Sequence, residues 1–485
     1  METILTPEMM QECDKKTIES TISEENLIAK VGKRLAPFFN KFDQVVIITG
    51  KGNNGADGFA LAASLLKTGK DISIYMVDKP NKIGQKYVDE FKKDDRVVFL
   101  DKLQEHYECV IDAIFGINYH DDYNGIYDDI IDKINSINAF HVSIDINTGL
   151  SAFNGIARKA IKSDLTIAIQ NYKTGHFLND AKDYIKKLEV IDVGIDTSNC
   201  KENNLFTYDD FRKLFPQRLH NSNKKTYGYV SIFGGSKRYP GACKLSTLAT
   251  ISLLSGCGIV RLCVPENIAT SLSSSILEAT LFPLPNDYNE DLLKEAIKNQ
   301  DVIAFGMGLE INEVNKKNLD YILKNYEGKL LIDAAGIYML DRSLLYQTKA
   351  KVILTPHPKE MVHIFGDSIE SVLQLPFFYA RNLTDGYPNI VCCLKGATTL
   401  IVNDGKMYFI DKGNAALSKG GSGDILSGII AGMAGYMDIL AATLAGNYLF
   451  LTCGEIASKK YGIYSTLGRN VIHTISQEMA KMGRK

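Results

Sequence analysis

A run of small residues ending in a carboxylate stands near the C-terminal end of the chain: Lys419–Leu426 reads KGGSGDIL. Gly420, Gly421, Ser422 and Gly423 precede Asp424, and the apolar stretch that follows, Ile425–Gly435, has the composition of a buried helix. Successive backbone N–H groups at a helix N-terminus form an anion hole. A carboxylate at its mouth can take the proton of a hydroxyl that attacks a terminal phosphate, so Asp424 is the expected general base of a phosphoryl transfer. An aspartate can instead simply cap the helix, but a cap has no need of three glycines.

Other segments offer complementary groups. LKGATT (Leu394–Thr399) is a strand-to-turn segment in which Lys395 reads as a nucleotide-phosphate contact. In TPHPKE (Thr355–Glu360), His357 sits between two prolines just after a strand, a rigid place from which to touch substrate. Far upstream, residues 50–58 read GKGNNGADG between an apolar strand and a helix expected over Phe59–Thr68. Its glycines let backbone N–H groups approach a phosphate. Asn53, Asn54 and Asp57 add oxygens suited to a ribose, a water-bridged phosphate or a hard monovalent cation. DAIFG (Asp112–Gly116) and SIDINTG (Ser143–Gly149, with Asp145 and Thr148) place further polar groups at strand C-termini, where doubly wound sheets bind ligands.

The elements that must position these loops alternate along the chain. Strands are expected at Val45–Thr49, Ile72–Val77, Val97–Leu100, Cys109–Ile114, Phe140–Ile144 and Leu165–Ile169, with helical stretches between them and over residues 1–40. They are short and apolar on both faces, as in a parallel sheet covered by helices. The pattern weakens through the polar stretches Thr197–Asn204 and Pro216–Lys225 and resumes at Tyr229–Phe233, Ile259–Val264, Val302–Phe305, Leu330–Ile332, Val352–Leu354, Ile390–Leu394 and Thr398–Val402. Two α/β domains are therefore expected, residues 1–207 and 208–485.

Composition narrows the function classes. With 55 basic and 57 acidic side chains the net charge is −2, without the basic surplus of a nucleic-acid binder. Nine cysteines, an odd number with no CxxC pair, argue for reduced thiols in a cytoplasmic protein. The acidic N-terminus does not read as a secretory signal. The most apolar stretch, 425–457, is interrupted by Asp438 and Glu455. The uncharged run between them falls short of the roughly 18 residues a membrane span needs, so core helices and no membrane association are expected.

GKGNNGADG, DAIFG, SIDINTG and AIKSDLTIAI (Ala160–Ile169) resemble the epimerase domain of the NAD(P)H-hydrate repair enzymes over nearly all of residues 1–205. The resemblance implies a Rossmann-like doubly wound sheet and a potassium ion held by Asn54, Asp112 and Thr148. It implies a hydrated-nucleotide site lined by Asn53, Asn54, Gly55, Ala56, Asp57, Gly116, Asp122 and Asp145, with Asp145 catalytic. Ala56 stands where the family has a second glycine, and Asn147-Thr148 replaces Pro-Ser, which is expected to loosen that turn. GYVSIFGGSKRYPGA, TPHPKE, LKGATT and KGGSGDIL resemble the ribokinase-like superfamily and, more narrowly, the ADP/ATP-dependent NAD(P)H-hydrate dehydratases over about 215–485. This implies that Ala242, Gly308, His357 and Asp424 touch the hydrated nucleotide. Lys395, Gly396, Ala397, Thr398 and Thr399, with Gly420, Gly421, Ser422 and Gly423, would hold ATP or ADP, assisted by Mg²⁺. GMGLE (306–310) departs from the family's GPGLG, so Met307 and Glu310 are expected to alter one substrate-side wall, and Lys419 stands where an alanine-type residue is common.

Taken together, the two resemblances imply metabolite repair. Water adds across C5=C6 of the reduced nicotinamide ring and leaves a C6–OH of either hand. Phosphorylation turns that hydroxyl into a good leaving group, and an epimerase makes the other hand salvageable. A homo-oligomer is expected. Two other classes remain open from sequence: a vitamin or sugar kinase, which shares the base and anion hole but lacks so large a first domain, and a binding module in which the first domain recognises a ligand without catalysis.

Overall fold

The structure, a computed structural model, describes residues 1–117, 125, 127–200, 202–215, 220–251 and 257–482. Two compact units divide it: Thr3–Asn203, and Asn204–Lys485 with Met1–Glu2.

In the first unit the apolar runs form a seven-stranded sheet of β1 (Val45–Thr49), β2 (Ile72–Met76), β3 (Val97–Phe99), β4 (His106–Ala113), β5 (Asn138–Ile144), β6 (Leu165–Ile169) and β7 (Leu188–Ile191). All are parallel, in the order β3-β2-β1-β4-β5-β6-β7. The chain winds outwards from β1 one way and from β4 the other, leaving a crevice off their C-terminal ends where such sheets take ligands. Every residue of β1 is buried, as a strand with helices on both faces requires. Helices α1 (Pro7–Ser20), α2 (Glu24–Leu35) and α3 (Asn53–Leu66) belong to this unit.

Helix α3 begins at Asn53, six residues before the expected start. Asparagine and glycine are poor helix formers, but here close packing overrides propensity. A Cβ on Gly55 would lie 2.1 Å from the Gly50 carbonyl oxygen, so the first helical turn can fold back onto the end of β1 only because residue 55 is glycine. Asn53 and Asn54 thus ride on that turn, and Asp57 follows it. The N-terminal stretch also differs from the expected helix at its start, where Glu2–Leu5 is a strand.

The second unit carries β8 (Tyr229–Phe233), β9 (Ile259–Pro265), β10 (Ala279–Leu284), β11 (Val302–Phe305), β12 (Lys329–Ile332), β13 (Lys351–Leu354), β14 (Ile390–Leu394), β15 (Thr399–Asn403) and β16 (Lys406–Ile410). Their order is β10-β9-β8-β11-β12-β13-β14-β15-β16, parallel from β10 to β14 and antiparallel thereafter. The β15–β16 hairpin turns through Asp404 and Gly405 at φ 45° and 75°, the positive-φ pair that a tight hairpin needs. Helices α4 (Pro240–Thr250), α5 (Pro358–Phe365), α6 (Ser422–Ala434) and α7 (Ile439–Tyr461) pack in this unit. At 23 residues α7 is long and apolar enough to cross a membrane, yet 67% of its most apolar window is buried inside the protein. Its Tyr448 stacks on Phe211 at 5.0 Å between ring centroids, so it is a core helix. All nine cysteines are free thiols.

Candidate active sites

In the first unit a cavity of about 600 Å³ opens beside the ends of β1, β4 and β5. Asn53, Asn54, Asp57, Gly116 and Asp145 line it, and so do Asp14 of α1 and Lys173, which no motif had singled out. Gly55 and Ala56 are not among its lining residues; Ala56 packs with Ile28 of α2 and Ala60. Asp122 lies outside the described residues.

Asp145 directly follows β5 and holds φ 66°, a backbone state that costs a non-glycine residue energy and persists only when neighbours enforce it. The enforcing contacts are visible. The Lys173 ammonium, 1% exposed, donates to Asp145 Oδ1 and to the Ile169 carbonyl at 2.8 Å, and the Ile169 N–H donates to Asp145 Oδ1 at 3.1 Å. His176 bridges the two residues: its Nδ1 accepts from the Lys173 N–H at 2.9 Å and its Nε2 lies 2.7 Å from the Asp145 carbonyl. Burial, with Lys173 nearby, pushes His176 down to about 4, so the ring is neutral with its proton on Nε2. Asp57 Oδ1 is buried with no partner. Burial pushes this carboxyl well above the usual range, and the negative fields of Asp145 and Asp14 add to the effect.

The three residues expected to hold a cation come together here. Asp112 Oδ1 accepts from the Thr148 hydroxyl at 2.7 Å and its Oδ2 accepts from the Thr148 N–H at 2.9 Å and Ser143 at 3.0 Å. Burial raises Asp112 in spite of these donors. Asn54 donates to the Phe115 and Ile144 carbonyls at 2.7 and 3.2 Å, leaving its own Oδ1 buried and unpartnered. A buried, orphaned amide oxygen is the kind of group that a hard monovalent cation would satisfy. The loosened turn expected at Asn147 is absent. Its amide donates to the Ile161 carbonyl, Ser163 and the Tyr184 carbonyl, and its Oδ1 accepts from Thr166 at 2.5 Å. Side-chain hydrogen bonds fix what proline would have fixed.

In the second unit α6 starts at Ser422, with Gly421 as its N-cap at φ 92° and no side-chain cap bond. Asp424 therefore lies inside the first turn and does not cap the helix. Among the described residues its carboxylate makes no hydrogen bond; only its backbone carbonyl is engaged, accepting from Ser246 at 2.9 Å. Burial, then the Asp333 carboxylate, push Asp424 up to about 6 against the pull of Lys395.

Lys395 Nζ donates to Asp333 Oδ1 at 2.8 Å and lies 3.8 Å from Glu360. Ser427 of α6 donates to Asp333 Oδ2 at 2.7 Å. A methyl on Gly423 would sit 3.7 Å from both Lys395 Nζ and Asp333 Oδ2, which places this ion pair beside the glycine turn. Burial alone would raise Asp333, but Lys395, Ser427 and Thr355 outweigh it and hold the group below its ordinary value. Lys395 stays raised because Asp333 and Glu360 outweigh the cost of its burial. Sequence motifs pointed to Lys395 but not to Asp333, which directly follows β12 and precedes Ala334 at φ 48°. That strained residue leaves no readable trace in composition.

His357 caps α5: its Nδ1 accepts from the Glu360 N–H at 3.2 Å, and Glu360 accepts from the His357 N–H at 2.8 Å. Its side chain is 43% exposed, and burial of the rest, with Lys395 nearby, lowers its pKa. The Lys395 N–H donates to the Pro356 carbonyl at 2.8 Å, so the TPHPKE and LKGATT turns are joined. Thr398 donates to Asp411 at 3.4 Å. Ala242 and Gly308 pack against each other: a methyl on Gly308 would meet the Ala242 Cβ at 2.7 Å. Met307 is wholly buried in the core cluster and Glu310 is exposed, so Met307 does not form the altered wall expected of it. Lys419 donates to the carbonyls of Ile463, Tyr464 and Thr466 at 3.2, 2.8 and 2.8 Å, tying the glycine turn to the segment after α7.

An aspartate on the first turn of a glycine-led helix, whose carboxylate makes no hydrogen bond among the described residues, thus stands near a buried Lys–Asp pair. The family model described as NAD(P)H-hydrate dehydratase matches residues 230–477. The chain belongs to the NAD(P)H-hydrate dehydratase family. A second model, described as YjeF-related protein N-terminus, matches residues 24–175. Relatives named bifunctional NAD(P)H-hydrate repair enzyme Nnr are 29% identical in Moorella thermoacetica, covering 86% of this chain and 84% of the relative, and 28% identical in Methanocaldococcus jannaschii, covering 96% and 91%. The Bacillus subtilis ADP/ATP-dependent NAD(P)H-hydrate dehydratase co-crystallised with ATP/Mg²⁺ is 26% identical, with a TM-score of 0.51 over 57% of this chain and 98% of its own. The dehydratase family thus accounts for the second unit, and the first unit matches a separate model.

Proposed function

We propose that this chain repairs hydrated nicotinamide nucleotides with two activities. The first unit interconverts (R)- and (S)-NAD(P)HX. The second dehydrates (S)-NAD(P)HX to NAD(P)H at the expense of ATP or ADP. The observation that carries the second activity is Asp424: a carboxylate with no hydrogen bond, raised to about 6, at the N-terminal turn of α6. A base with a pKa near working pH is the efficient one. Asp424 takes the proton of the C6 hydroxyl as its oxygen attacks the terminal phosphorus. The N–H groups of Gly421, Ser422 and Gly423 face the charge that develops on the transferred group, and Lys395 adds a cation held in place by Asp333. Loss of phosphate from C6 and of the C5 proton then restores the C5=C6 bond.

Mg²⁺ is held largely by nucleotide phosphates and one or two carboxylates. Asp333 and Glu360 beside Lys395 are the oxygens available for it, and the ion would neutralise phosphate charge. In the first unit Asn54, Asp112 and Thr148 would hold K⁺, supported by the orphaned Asn54 Oδ1, and the ion would supply a fixed positive charge behind the cavity. Asp145, held by Lys173 in that cavity, would act on the epimerising centre. We place the protein in the cytoplasm, as a homo-oligomer. Incubating it with mixed NADH hydrates and either nucleotide tests the whole proposal. NADH absorbance should return to completion; recovery of only one epimer's share would remove the epimerase, and no recovery would remove the dehydratase.

A further inference from the structure

Asp14 belongs to no motif, yet it is the one acidic residue of α1 whose carboxyl oxygen is buried in the cavity wall without a partner. It lines the cavity of the first unit together with Asp57, Asp145 and Lys173, and among the described residues its Oδ1 makes no hydrogen bond. A buried, unsatisfied carboxyl costs stability. Asp14 does not serve as a helix cap: the N-cap of α1 is Thr6, which already accepts from the Met9 N–H. Asp145 comes from the C-terminal edge of the sheet and Asp57 from α3, whereas Asp14 reaches the same cavity from a separate helix.

Inverting C6 needs two proton-handling groups. In the leaving step the C6–O bond breaks, its electron pair goes to oxygen, and that oxygen takes a proton from an acid and departs as water. The N1 lone pair closes an N1=C6 iminium. Water then adds to the other face of C6, the iminium electrons return to N1, and a base takes the proton from the added water. One proton is donated and one accepted, nothing is oxidised, and in the reverse direction the two groups exchange roles. Asp145, engaged by Lys173 and the Ile169 N–H, supplies one carboxylate. We propose that Asp14 is the second proton-transfer group of the epimerisation, acting with Asp145 on the C6 oxygen of the hydrated nucleotide. This rests on the epimerase function proposed for the first unit.

Electrostatics supports the geometry. Burial pushes Asp14 up to about 6, with Lys173 opposing and Asp145 adding, so the group exchanges a proton near neutral pH. The charged groups sharing the cavity with it are Asp57, Asp145 and Lys173, with Lys15, Glu19, Glu24 and Lys51 also on its lining.

The test uses the full chain without nucleotide, following the (R)/(S) ratio of NADH hydrates by chromatography across pH. Wild-type protein should equilibrate the epimers faster than buffer, with kcat falling as pH rises through about 6. Asp14→Asn should lose about a hundredfold in kcat, keep KM within a few fold, and lose that limb of the profile. Asp14→Glu should regain at least tenfold over Asp14→Asn and regain the limb. An Asp14→Asn protein within fivefold of wild type, or one that keeps the limb, overturns the assignment, as does a wild-type profile flat through this range if Asp14→Asn does not fold. A wild-type chain that fails to epimerise at all refutes the epimerase function itself, which is a different outcome.

Discussion

Replacing Asp424 by asparagine separates a catalytic base from a structural carboxylate, because the two roles predict opposite changes. Among the described residues the side chain makes no hydrogen bond, and it does not cap α6, so asparagine loses no contact seen there. The charge it removes is an unfavourable one. Asp424 rises from 3.8 to about 6 on folding, roughly two pKa units, or about 3 kcal/mol at 1.36 kcal/mol per unit. The sign follows from linkage: an acid whose pKa is higher in the folded state is ionised more readily in the unfolded one. The cost is therefore absent below about pH 4 and fully present above about 6. Discounting for partial exposure, Asp424→Asn should stabilise the second unit by about 2 kcal/mol at pH 7.5, worth roughly 4–8 °C in Tm, with no gain at pH 4. Dehydration should fall by about 10²–10⁴-fold from loss of the base, and nucleotide binding should persist because the glycine N–H groups and Lys395 are untouched. Turnover and thermal unfolding measured on one preparation decide the matter. A variant that keeps near-normal turnover refutes Asp424 as the base, and one that melts lower at pH 7.5 refutes the electrostatics.

Lys395→Met leaves Asp333 buried and unpaired, so the second unit should lose about 3–5 kcal/mol in denaturant unfolding; a loss under 1 kcal/mol would show that the pair does not carry the stability assigned to it. Epimerisation should run faster in K⁺ than in a bulky organic cation, and Asn54→Ala should remove that preference; equal rates in both salts would eliminate the cation site. Residues 208–485 expressed alone should fold and dehydrate only one epimer, and complete conversion of both at rates above spontaneous epimerisation would break the division of labour between the two units.

Most strands were readable because parallel strands buried on both faces have few compositions open to them: Val45–Thr49, Leu165–Ile169, Tyr229–Phe233, Val302–Phe305 and Ile390–Leu394 have the expected bounds. Among the strands that escaped notice, which also include Glu2–Leu5 and Leu188–Ile191, two lack that signature. Ala279–Leu284 contains Pro283 and is half exposed, and Lys406–Ile410 is a hairpin strand whose flag, Asp404-Gly405 between apolar runs, is a turn signal and not a strand signal. In the sites, compact motifs carried Asn53, Asn54, Asp57, Gly116 and Asp145, which line one cavity. Lys173 and Asp333 carried no such signal, because each pairs with a residue far along the chain, and Asp14 and His176 stand in no motif. Lys173 meets Asp145 28 residues away and Lys395 meets Asp333 62 residues away, separations at which no local pattern marks the pair.

Both units nevertheless reach the same electrostatic solution. Each sets an aspartate directly after a central strand: Asp145 after β5, Asp333 after β12. Positive φ is used at that point in both, by Asp145 itself and by Ala334. In each, a lysine from elsewhere in the chain pairs with the aspartate, Lys173 in one and Lys395 in the other. A second carboxyl near that pair is left without hydrogen bonds at one or both oxygens and raised to about 6, Asp14 in the first unit and Asp424 in the second. The pair is close to neutral as a unit, so it fixes a positive group in the site without the full cost of an isolated buried ammonium. The remaining carboxyl then titrates under burial and its neighbours' fields. Removing either lysine should therefore do more than delete a contact: the nearby carboxyl would lose its balancing cation and rise further, away from the pH at which it can exchange a proton.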